Sequence, residues 1–328
     1  MSLTALDTFL EPLNALFAEE GIQEISINRP GEAWVERYGD MKLEPLPAFT
    51  MEHLRALAQL VAQSTSQVIS EEKPLLSATL PSGYRIQVVF PPACADGGIA
   101  MSIRKQATLK MDLNTYEKLG AFEQTKTGLT SHNPADEELA ALYAKGDVKA
   151  FIALAVKSKK NIIISGGTST GKTTFMNAAL TEIPSDERII TVEDAREVQI
   201  DHIPNRVHLM VSKGGQGRAK VTTQELIEAC LRLRPDRIIV GELRGAEAFS
   251  YLRAVNTGHP GSIATIHANS PQLGIEQLIL MIMQADLGIT RDQIKAYVES
   301  VIEVVIQLKR GEKGKRYVSE IYFKPSNH

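Results

Sequence analysis

One string of eight residues, 166–173, constrains the architecture of this 328-residue chain more than any other segment. It reads GGTSTGKT and matches the pattern G-x-x-x-x-G-K-[ST] at every fixed position. The apolar run that precedes it, residues 161–165, predicts a short buried strand. The residues that follow it, 174–180, predict the first turns of a helix. A strand, a glycine-rich loop and a helix in this order are typical of a phosphate-binding loop in an α/β fold.

The chemistry of such a loop is specific. Its glycines let backbone N–H groups turn inward around phosphate oxygens, and the helix N-terminus adds a partial positive charge. The ammonium of Lys172 would reach the β- and γ-phosphates, and the hydroxyl of Thr173 would be a ligand of Mg²⁺. A chance glycine turn would not explain the flanking strand and helix. The residues expected to bind the nucleotide are Gly166, Gly167, Thr168, Ser169, Thr170, Gly171, Lys172, Thr173 and Thr174.

A second segment, residues 188–194, is a β-branched strand that ends in Glu193 and Asp194. At the carboxyl edge of a parallel sheet, such carboxylates would face a bound ligand. Mg²⁺ binds carboxylates directly or through water. A solvated strand end, or a helix cap by Asp194, is the alternative. Next to a phosphate-binding loop, we expect both residues to belong to the metal site.

A third segment, residues 237–242, is another buried strand that ends in a carboxylate. A usual Walker B strand ends in Asp, whereas Gly241 occupies that position here. Glu242 is therefore the predicted general base, which accepts a proton from the attacking water. Support for Mg²⁺ would then depend more on Thr173 and on the Glu193–Asp194 pair.

A fourth segment, residues 258–269, predicts a glycine-rich turn and a short strand that is followed by His267. A lone histidine is more often structural than functional. This one follows a strand that belongs, on our interpretation, to the same sheet as the phosphate loop. We therefore expect His267 to sense the γ-phosphate or to touch a neighbouring subunit.

Composition excludes several other classes of protein. A net charge of −3 argues against a dedicated nucleic-acid binder. The two cysteines, Cys94 and Cys230, lie far apart and give neither a disulfide framework nor a zinc site, which fits a reducing cytosol. No apolar run approaches the length of a membrane span, and the N-terminus does not resemble a signal peptide. Apolar residues at helical spacing in residues 3–17 predict a helix that packs on its own domain or on a neighbour, with a kink or break at Pro12.

The chain divides into an α+β domain at residues 1–105, a linker with a short helix at 106–145 and an α/β domain at 146–328. Alternating strands and helices in the third part predict a parallel sheet with crossover helices. In the α+β domain, we expect strands at residues 24–28, 33–38, 85–90 and 99–104 and a helix at residues 51–69. Residues 304–308 and 317–323 predict a final antiparallel hairpin.

Taken together, the four motifs resemble those of type IV secretion traffic ATPases, within the larger family of hexameric secretion and pilus-motor ATPases. The segment around Glu193 resembles the family's Asp box, Gly241–Glu242 its atypical Walker B, and the segment that ends at His267 its His box. The resemblance covers nearly the whole chain. It implies a C-terminal RecA-like P-loop NTPase domain with a predominantly parallel sheet and a smaller α+β N-terminal domain that covers the nucleotide.

The N-terminal part carries the resemblance too. Residues 80–89 and 101–105 are similar to the family segments whose arginines reach the nucleotide, which makes Arg85 and Arg104 the expected clamps on the γ-phosphate. The catalytic residues that follow from the motifs and the resemblance are Lys172, Glu193, Glu242, His267, Arg85 and Arg104. The sequence leaves open whether the linker lets the ATPase domain pack on its own N-terminal domain or on a neighbour's.

The function that the resemblance implies is an ATPase that uses ATP and Mg²⁺ in a bacterial type IV secretion system. It would power substrate translocation or pilus biogenesis, in conjugation or effector delivery. The expected assembly is a homo-hexamer, peripheral on the cytoplasmic face of the inner membrane, with other secretion-system ATPases and inner-membrane components as partners. No sequence-specific binding of nucleic acid is expected. A nucleotide-gated scaffold that hydrolyses ATP only weakly is the alternative.

Overall fold

Two β-sheets organise the chain in the computed structural model, which describes residues 3–105, 112–123, 125, 134–211 and 217–324. A six-stranded sheet is built by the N-terminal part and a seven-stranded sheet by the C-terminal part. The architecture is mixed α/β, as the sequence predicted. No helix among these residues is both long enough and apolar enough to span a bilayer.

The N-terminal helical segment is divided as expected. Helix α1 (Leu3–Leu10) is followed by a 3₁₀ turn (Glu11–Leu13) and helix α2 (Asn14–Ala18). Proline lacks the N–H that a continuous helix would need, which explains the break at Pro12. The buried leucines of this segment join one hydrophobic core with the six-stranded sheet. The segment therefore packs on its own chain.

The six-stranded sheet is antiparallel, with the strand order β3-β2-β1-β6-β5-β4. Its strands are β1 (Ile22–Ile27), β2 (Gly31–Arg37), β3 (Asp40–Leu46), β4 (Leu75–Thr79), β5 (Arg85–Val89) and β6 (Ala100–Arg104). Helix α3 (Met51–Ser64) lies between β3 and β4 in sequence and is capped by Thr50, whose side chain accepts from the backbone N–H of His53. The four predicted strands and the helix are confirmed, whereas β3 and β4 were not predicted.

Three helices connect the two sheets along the chain: α4 (Leu113–Lys118), α5 (Pro134–Lys145) and α6 (Val148–Lys157). Helix α4 has no buried side chain. Helix α5, which the sequence assigned to the linker, packs beside α6, and its Leu139 is fully buried in the core of the seven-stranded sheet. Most of residues 125–136, a polar part of the predicted linker, lies outside the described residues.

The seven-stranded sheet has the order β13-β12-β7-β11-β10-β8-β9. All neighbours are parallel except β12 and β13, which form the predicted antiparallel hairpin. Its strands are β7 (Ile162–Gly166), β8 (Ile189–Glu193), β9 (Arg206–Met210), β10 (Arg237–Val240), β11 (Ile263–Ile266), β12 (Val304–Arg310) and β13 (Arg316–Phe323). The helices are α7 (Lys172–Leu180), α8 (Thr223–Cys230), α9 (Glu247–Asn256), α10 (Pro271–Met283) and α11 (Arg291–Val301).

The central strands of this sheet are buried on both faces. Every residue of β7, β8, β10 and β11 is buried, because helices cover both sides of a parallel sheet. This explains why each strand is a continuous apolar run in the sequence rather than an alternating one. It also brings the carboxyl ends of these strands to one edge, where the predicted site residues lie.

The two sheets of one chain are bonded to each other at strand β9. The backbone N–H of Ala95 donates to the carbonyl of His208 at 2.9 Å, and that of Met210 donates to the carbonyl of Ala93 at 2.8 Å. Below this contact, the fully buried guanidinium of Arg188 donates to the side chain of Asn28 at 2.7 Å. The six-stranded sheet therefore packs against the seven-stranded sheet of its own chain.

Candidate active site

The phosphate loop joins β7 to α7, and its two fixed glycines are demanded by the backbone. A Cβ atom at Gly166 would lie 2.5 Å from the hydroxyl of Thr170 and 3.1 Å from the carbonyl of Leu308. Gly171 has a φ of +86°, which side-chain-bearing residues rarely adopt. Gly171 also offers no side chain to cap α7, so the first N–H groups of this helix are left to bind an anion.

Lys172 folds back over the loop. Its Nζ donates to the carbonyl oxygen of Gly166 at 3.0 Å and lies 3.3 Å and 3.4 Å from the two ring nitrogens of His267. Burial lowers the pKa of Lys172 from its ordinary value, and the carboxylate of Glu242 opposes this shift. The ammonium is therefore held between the loop and the ends of the neighbouring strands.

These groups line one cavity of about 460 Å³, which we call the phosphate-loop cavity. Its volume falls in the range of roughly 300–1,000 Å³ that is usual for small-molecule sites. Residues 167–174 form one wall, and the opposite wall comes from residues that end or follow β8, β10 and β11. The cavity brings together nearly all the residues predicted for the site within this sheet: Gly167, Thr168, Ser169, Thr170, Gly171, Lys172, Thr173, Thr174, Glu193, Asp194, Glu242 and His267.

Glu242 lies between two cationic or titratable side chains. Its Oε2 accepts from Nε of Arg244 at 2.6 Å. Its Oε1 lies 2.6 Å from Nε2 of His267, so the imidazole is in direct contact with the carboxylate. The carboxylate is therefore held between the side chains that follow β10 and β11.

Glu193 is engaged by its own loop. Its Oε2 accepts from the backbone N–H groups of Glu197 and Val198 at 2.8 and 2.7 Å, and its Oε1 accepts from the hydroxyl of Thr191 at 2.7 Å. Burial would raise its pKa, but the hydrogen bonds from His208, Thr191 and the two amides together lower it. This carboxylate holds the loop that presents Asp194 to the cavity.

Arg244 is a site residue that the sequence interpretation missed. Its Nη1 lies 2.5 Å from Oδ2 of Asp194, and its Nε bonds Glu242, so it bridges the carboxylates that follow β8 and β10. The sequence did contain a signal for Arg244. It lies two residues after Glu242, at the end of a predicted strand, so both side chains belong to the same edge of the sheet. Arg316, at the start of β13, was missed as well and also lines the cavity.

The oxygen-bearing side chains fit a Mg²⁺ site of the nucleotide-dependent kind. Thr173, Asp194 and Glu242 all line the cavity and supply the oxygen atoms that a hard cation prefers. No cluster of three or more His, Cys, Asp or Glu side chains suited to a metal occurs in the described ranges. At nucleotide sites, Mg²⁺ keeps several waters and uses one or two carboxylates together with substrate phosphates, and Asp194 and Glu242 offer two carboxylates in this cavity.

Arg85 and Arg104 are not brought to this cavity. They line a separate cavity of about 630 Å³ between the six-stranded sheet and the segment that follows α8, and we call it the arginine cavity. Arg232 and Arg234, which follow α8, lie in its wall as well. The side chain of Arg104 is 68% exposed, and its Nε lies 3.8 Å from the buried carboxylate of Glu24. Within one chain, the predicted clamp residues therefore face a different space from the phosphate loop.

Comparison with known proteins gives consistent matches over the full length. The sequence model of the family described as "Type II/IV secretion system protein" matches residues 8–315. The type IV secretion system protein VirB11 of Bartonella henselae is 42% identical over 331 residues, which cover 97% of this chain and 92% of that protein. PtlH of Bordetella pertussis is 38% identical over 325 residues, with coverages of 98% and 95%.

Among solved structures, the VirB11 ATPase of the Brucella suis type IV secretion system, in complex with sulphate, superposes with a TM-score of 0.91. The two chains are 37% identical, and the match covers 98% of each. A score this high over both sheets means that their relative placement is shared.

Proposed function

The chain belongs to the type II/IV secretion system protein family, and we propose that it is a Mg²⁺-dependent ATPase that powers a type IV secretion system. One observation carries the proposal: the phosphate loop, Glu242 and His267 line a single cavity. A protein that only bound nucleotide would not need a carboxylate beside an imidazole at this position. The relatives named VirB11 and PtlH support the secretion assignment.

The proposed mechanism follows from the geometry. The loop amides and Lys172 bind the β- and γ-phosphates, and Lys172 is already held at the mouth of the loop by the carbonyl of Gly166. Oε1 of Glu242 accepts a proton from the attacking water. His267, whose ring lies beside both Lys172 and Glu242, orients the water and senses the γ-phosphate.

The hydroxyl of Thr173 and the carboxylate of Asp194 would hold Mg²⁺, which would supply positive charge to the phosphate oxygens. Arg244 bridges Asp194 and Glu242 and so neutralises both carboxylates before nucleotide binds. Glu193 acts through its loop rather than on the metal, because its oxygens already accept three hydrogen bonds.

We place Arg85 and Arg104 on the nucleotide of a neighbouring subunit. Their own sheet is bonded to β9 of the same chain, and they line a cavity apart from the phosphate loop. In a ring with head-to-tail contacts, one subunit's arginine cavity can face the phosphate loop of the next. The proposed assembly is a homo-hexamer, peripheral on the cytoplasmic face of the inner membrane, with other secretion-system ATPases and inner-membrane components as partners.

The test of the function is Glu242→Gln, which keeps the shape of the side chain but removes the base. We expect ATP binding to survive while kcat falls by roughly 10²–10⁴, the usual range for the loss of general acid–base help. Glu276→Gln, which changes an exposed carboxylate in α10, is the matched control. The alternative, a nucleotide-gated scaffold, predicts equal and very low turnover in wild type and both variants. Assembly measured by light scattering with ATP would then be unchanged.

A further inference from the structure

We propose that Arg316 binds the α-phosphate and ribose end of the nucleotide, and so sets affinity for ATP and ADP alike without taking part in hydrolysis. The inference rests on the proposed function, since it assigns one more residue to the same cavity. Arg316 is the first residue of β13 and lies one position beyond the match to the family model, which ends at residue 315.

Arg316 lies directly against the phosphate loop. A Cβ atom built on Gly171 would be 2.8 Å from Cδ of Arg316 and 3.3 Å from its Nη1. The side chain therefore crosses over the last glycine before Lys172, where the first turn of α7 begins. This position is available to it because Gly171 has no side chain. A guanidinium held there is within reach of a phosphate bound at the Gly171 end of the loop.

The charges in the cavity show which cation is available to a ligand. Arg244 is bound to Asp194 and Glu242, and Lys172 donates to the loop itself. Arg316, in contrast, makes no ion pair and no side-chain hydrogen bond with any residue that the structure describes. It is an exposed arginine without an anion in a cavity built for an anion, and guanidinium binds phosphate with paired, geometrically matched hydrogen bonds.

The order of the strands determines which end of the nucleotide Arg316 meets. The groups proposed for hydrolysis, Asp194, Glu242 and His267, follow β8, β10 and β11, which lie on one side of β7. Arg316 belongs to β13, on the other side of β7 and beyond β12. A nucleotide whose γ-phosphate points to Glu242 must extend its α-phosphate and ribose in the opposite direction, towards Arg316.

The hairpin that carries Arg316 is fixed to the loop strand. Leu308 of β12 lies opposite Gly166 of β7 in the parallel register, and Arg310 is the cross-strand neighbour of Arg316. This pairing offers a matched control, because Arg310 carries the same charge on the same hairpin but does not line the cavity.

The experiment measures binding of ADP and of inorganic pyrophosphate, together with steady-state ATP hydrolysis, for full-length wild type, Arg316→Ala, Arg316→Lys and Arg310→Ala. For Arg316→Ala we expect the Kd for ADP and the KM for ATP to rise by the same factor, about tenfold to a hundredfold, as for the loss of a charge-assisted hydrogen bond. We expect kcat and pyrophosphate affinity to stay unchanged, Arg316→Lys to recover part of the affinity, and Arg310→Ala to match wild type.

The outcomes separate this inference from the proposed function. If Arg316→Ala binds ADP as tightly as wild type does, while Lys172→Ala binds ADP more weakly, the inference is overturned and the ATPase proposal stays intact. A fall in kcat at unchanged ADP affinity would overturn it too, because Arg316 would then act on the transition state. If Arg316→Ala and Arg310→Ala lose the same affinity for ADP, the inference is also overturned, because the loss would then reflect the charge of the hairpin rather than contact with the nucleotide. Failure of wild type to bind ADP or ATP would overturn the proposed function and this inference with it.

Discussion

The phosphate-loop cavity and the arginine cavity differ in their balance of charge. In the first, Arg244 is matched by the carboxylates of Asp194 and Glu242. In the second, four arginines line the wall and the single acidic residue there is Glu24 of β1, within the part of the chain that the structure describes. The first cavity therefore carries its own counter-charges and a loop for phosphate. In the second, Arg234 is paired with Glu36 and Asp236, which leaves three arginines facing the one carboxylate of Glu24. This excess of positive charge is suited to an anion brought from outside the chain.

The pKa values of a buried carboxylate in each cavity, Glu193 in the first and Glu24 in the second, are shifted in opposite directions. Glu193 accepts three close hydrogen bonds, which outweigh burial and lower its pKa. Burial dominates at Glu24 and raises its pKa, although the hydroxyl of Ser102 and the charge of Arg104 oppose the shift. Hydrogen bonds therefore dominate at the buried carboxylate of the phosphate-loop cavity, and burial dominates at that of the arginine cavity.

The largest effect is expected at Lys172, whose loss breaks the phosphate-loop cavity and leaves the arginine cavity intact. Lys172→Ala should abolish ATP hydrolysis and weaken nucleotide binding, because no other residue of the loop supplies this charge. Lys309→Ala, which removes an exposed lysine of β12, is the control and should hydrolyse ATP normally. Near-normal turnover by Lys172→Ala would contradict the assignment of the site.

The next largest effect is expected from the arginine cavity. The double variant Arg85→Ala/Arg104→Ala should fold normally and lose about 10³–10⁵ in rate, the range known for cations that stabilise a transferring phosphoryl group. It should also lose any difference in protease sensitivity between the ATP-bound and ADP-bound forms. Arg291→Ala removes an exposed arginine outside both cavities and serves as the control. Wild-type turnover in the double variant would make both residues ordinary surface charges.

The smallest effect is a pH-dependent change in stability at Glu24. Its folded-state pKa is raised, so its contribution to stability is fully present below the unfolded-state pKa and is lost as the pH rises through the folded-state pKa. Glu24→Gln removes this loss. We expect the variant to be at least as stable as wild type at neutral pH, with the difference shrinking in acid.

Urea unfolding at several pH values measures this difference, and Glu138→Gln on the exposed face of α5 is the control. A Glu24→Gln variant that is less stable than wild type at neutral pH would show that the arginines, rather than burial, dominate at this carboxylate.

The elements that the sequence predicted correctly are those with a local signal. Continuous apolar runs at β7, β8, β10 and β11 reveal buried strands, and parallel strands must place their carboxyl ends at one edge. That rule alone brought Glu193, Glu242 and His267 together. Strand β3 gave no such signal because it lies at the sheet edge, is largely exposed and contains Pro45.

The residues that the sequence did not reveal depend on contacts between distant segments. Arg316 reaches Gly171 only because the hairpin of β12 and β13 pairs with β7. Arg85 and Arg104 face the arginine cavity because the loop between β5 and β6 is bonded to β9 of the same chain. No pattern within residues 80–105 encodes the identity of that partner.

The central claim is that the two cavities complete one another across a subunit boundary. Mixed rings made from Lys172→Ala and Arg85→Ala/Arg104→Ala subunits test it most directly. Each subunit type is expected to be inactive alone. The first keeps intact arginines, and the second keeps an intact phosphate loop. The two types are co-expressed with different tags, and rings that contain both are isolated. The account predicts that ATP hydrolysis returns, since roughly a quarter of the head-to-tail contacts in randomly mixed rings would pair an intact loop with intact arginines. Mixed rings as inactive as their parents would contradict it.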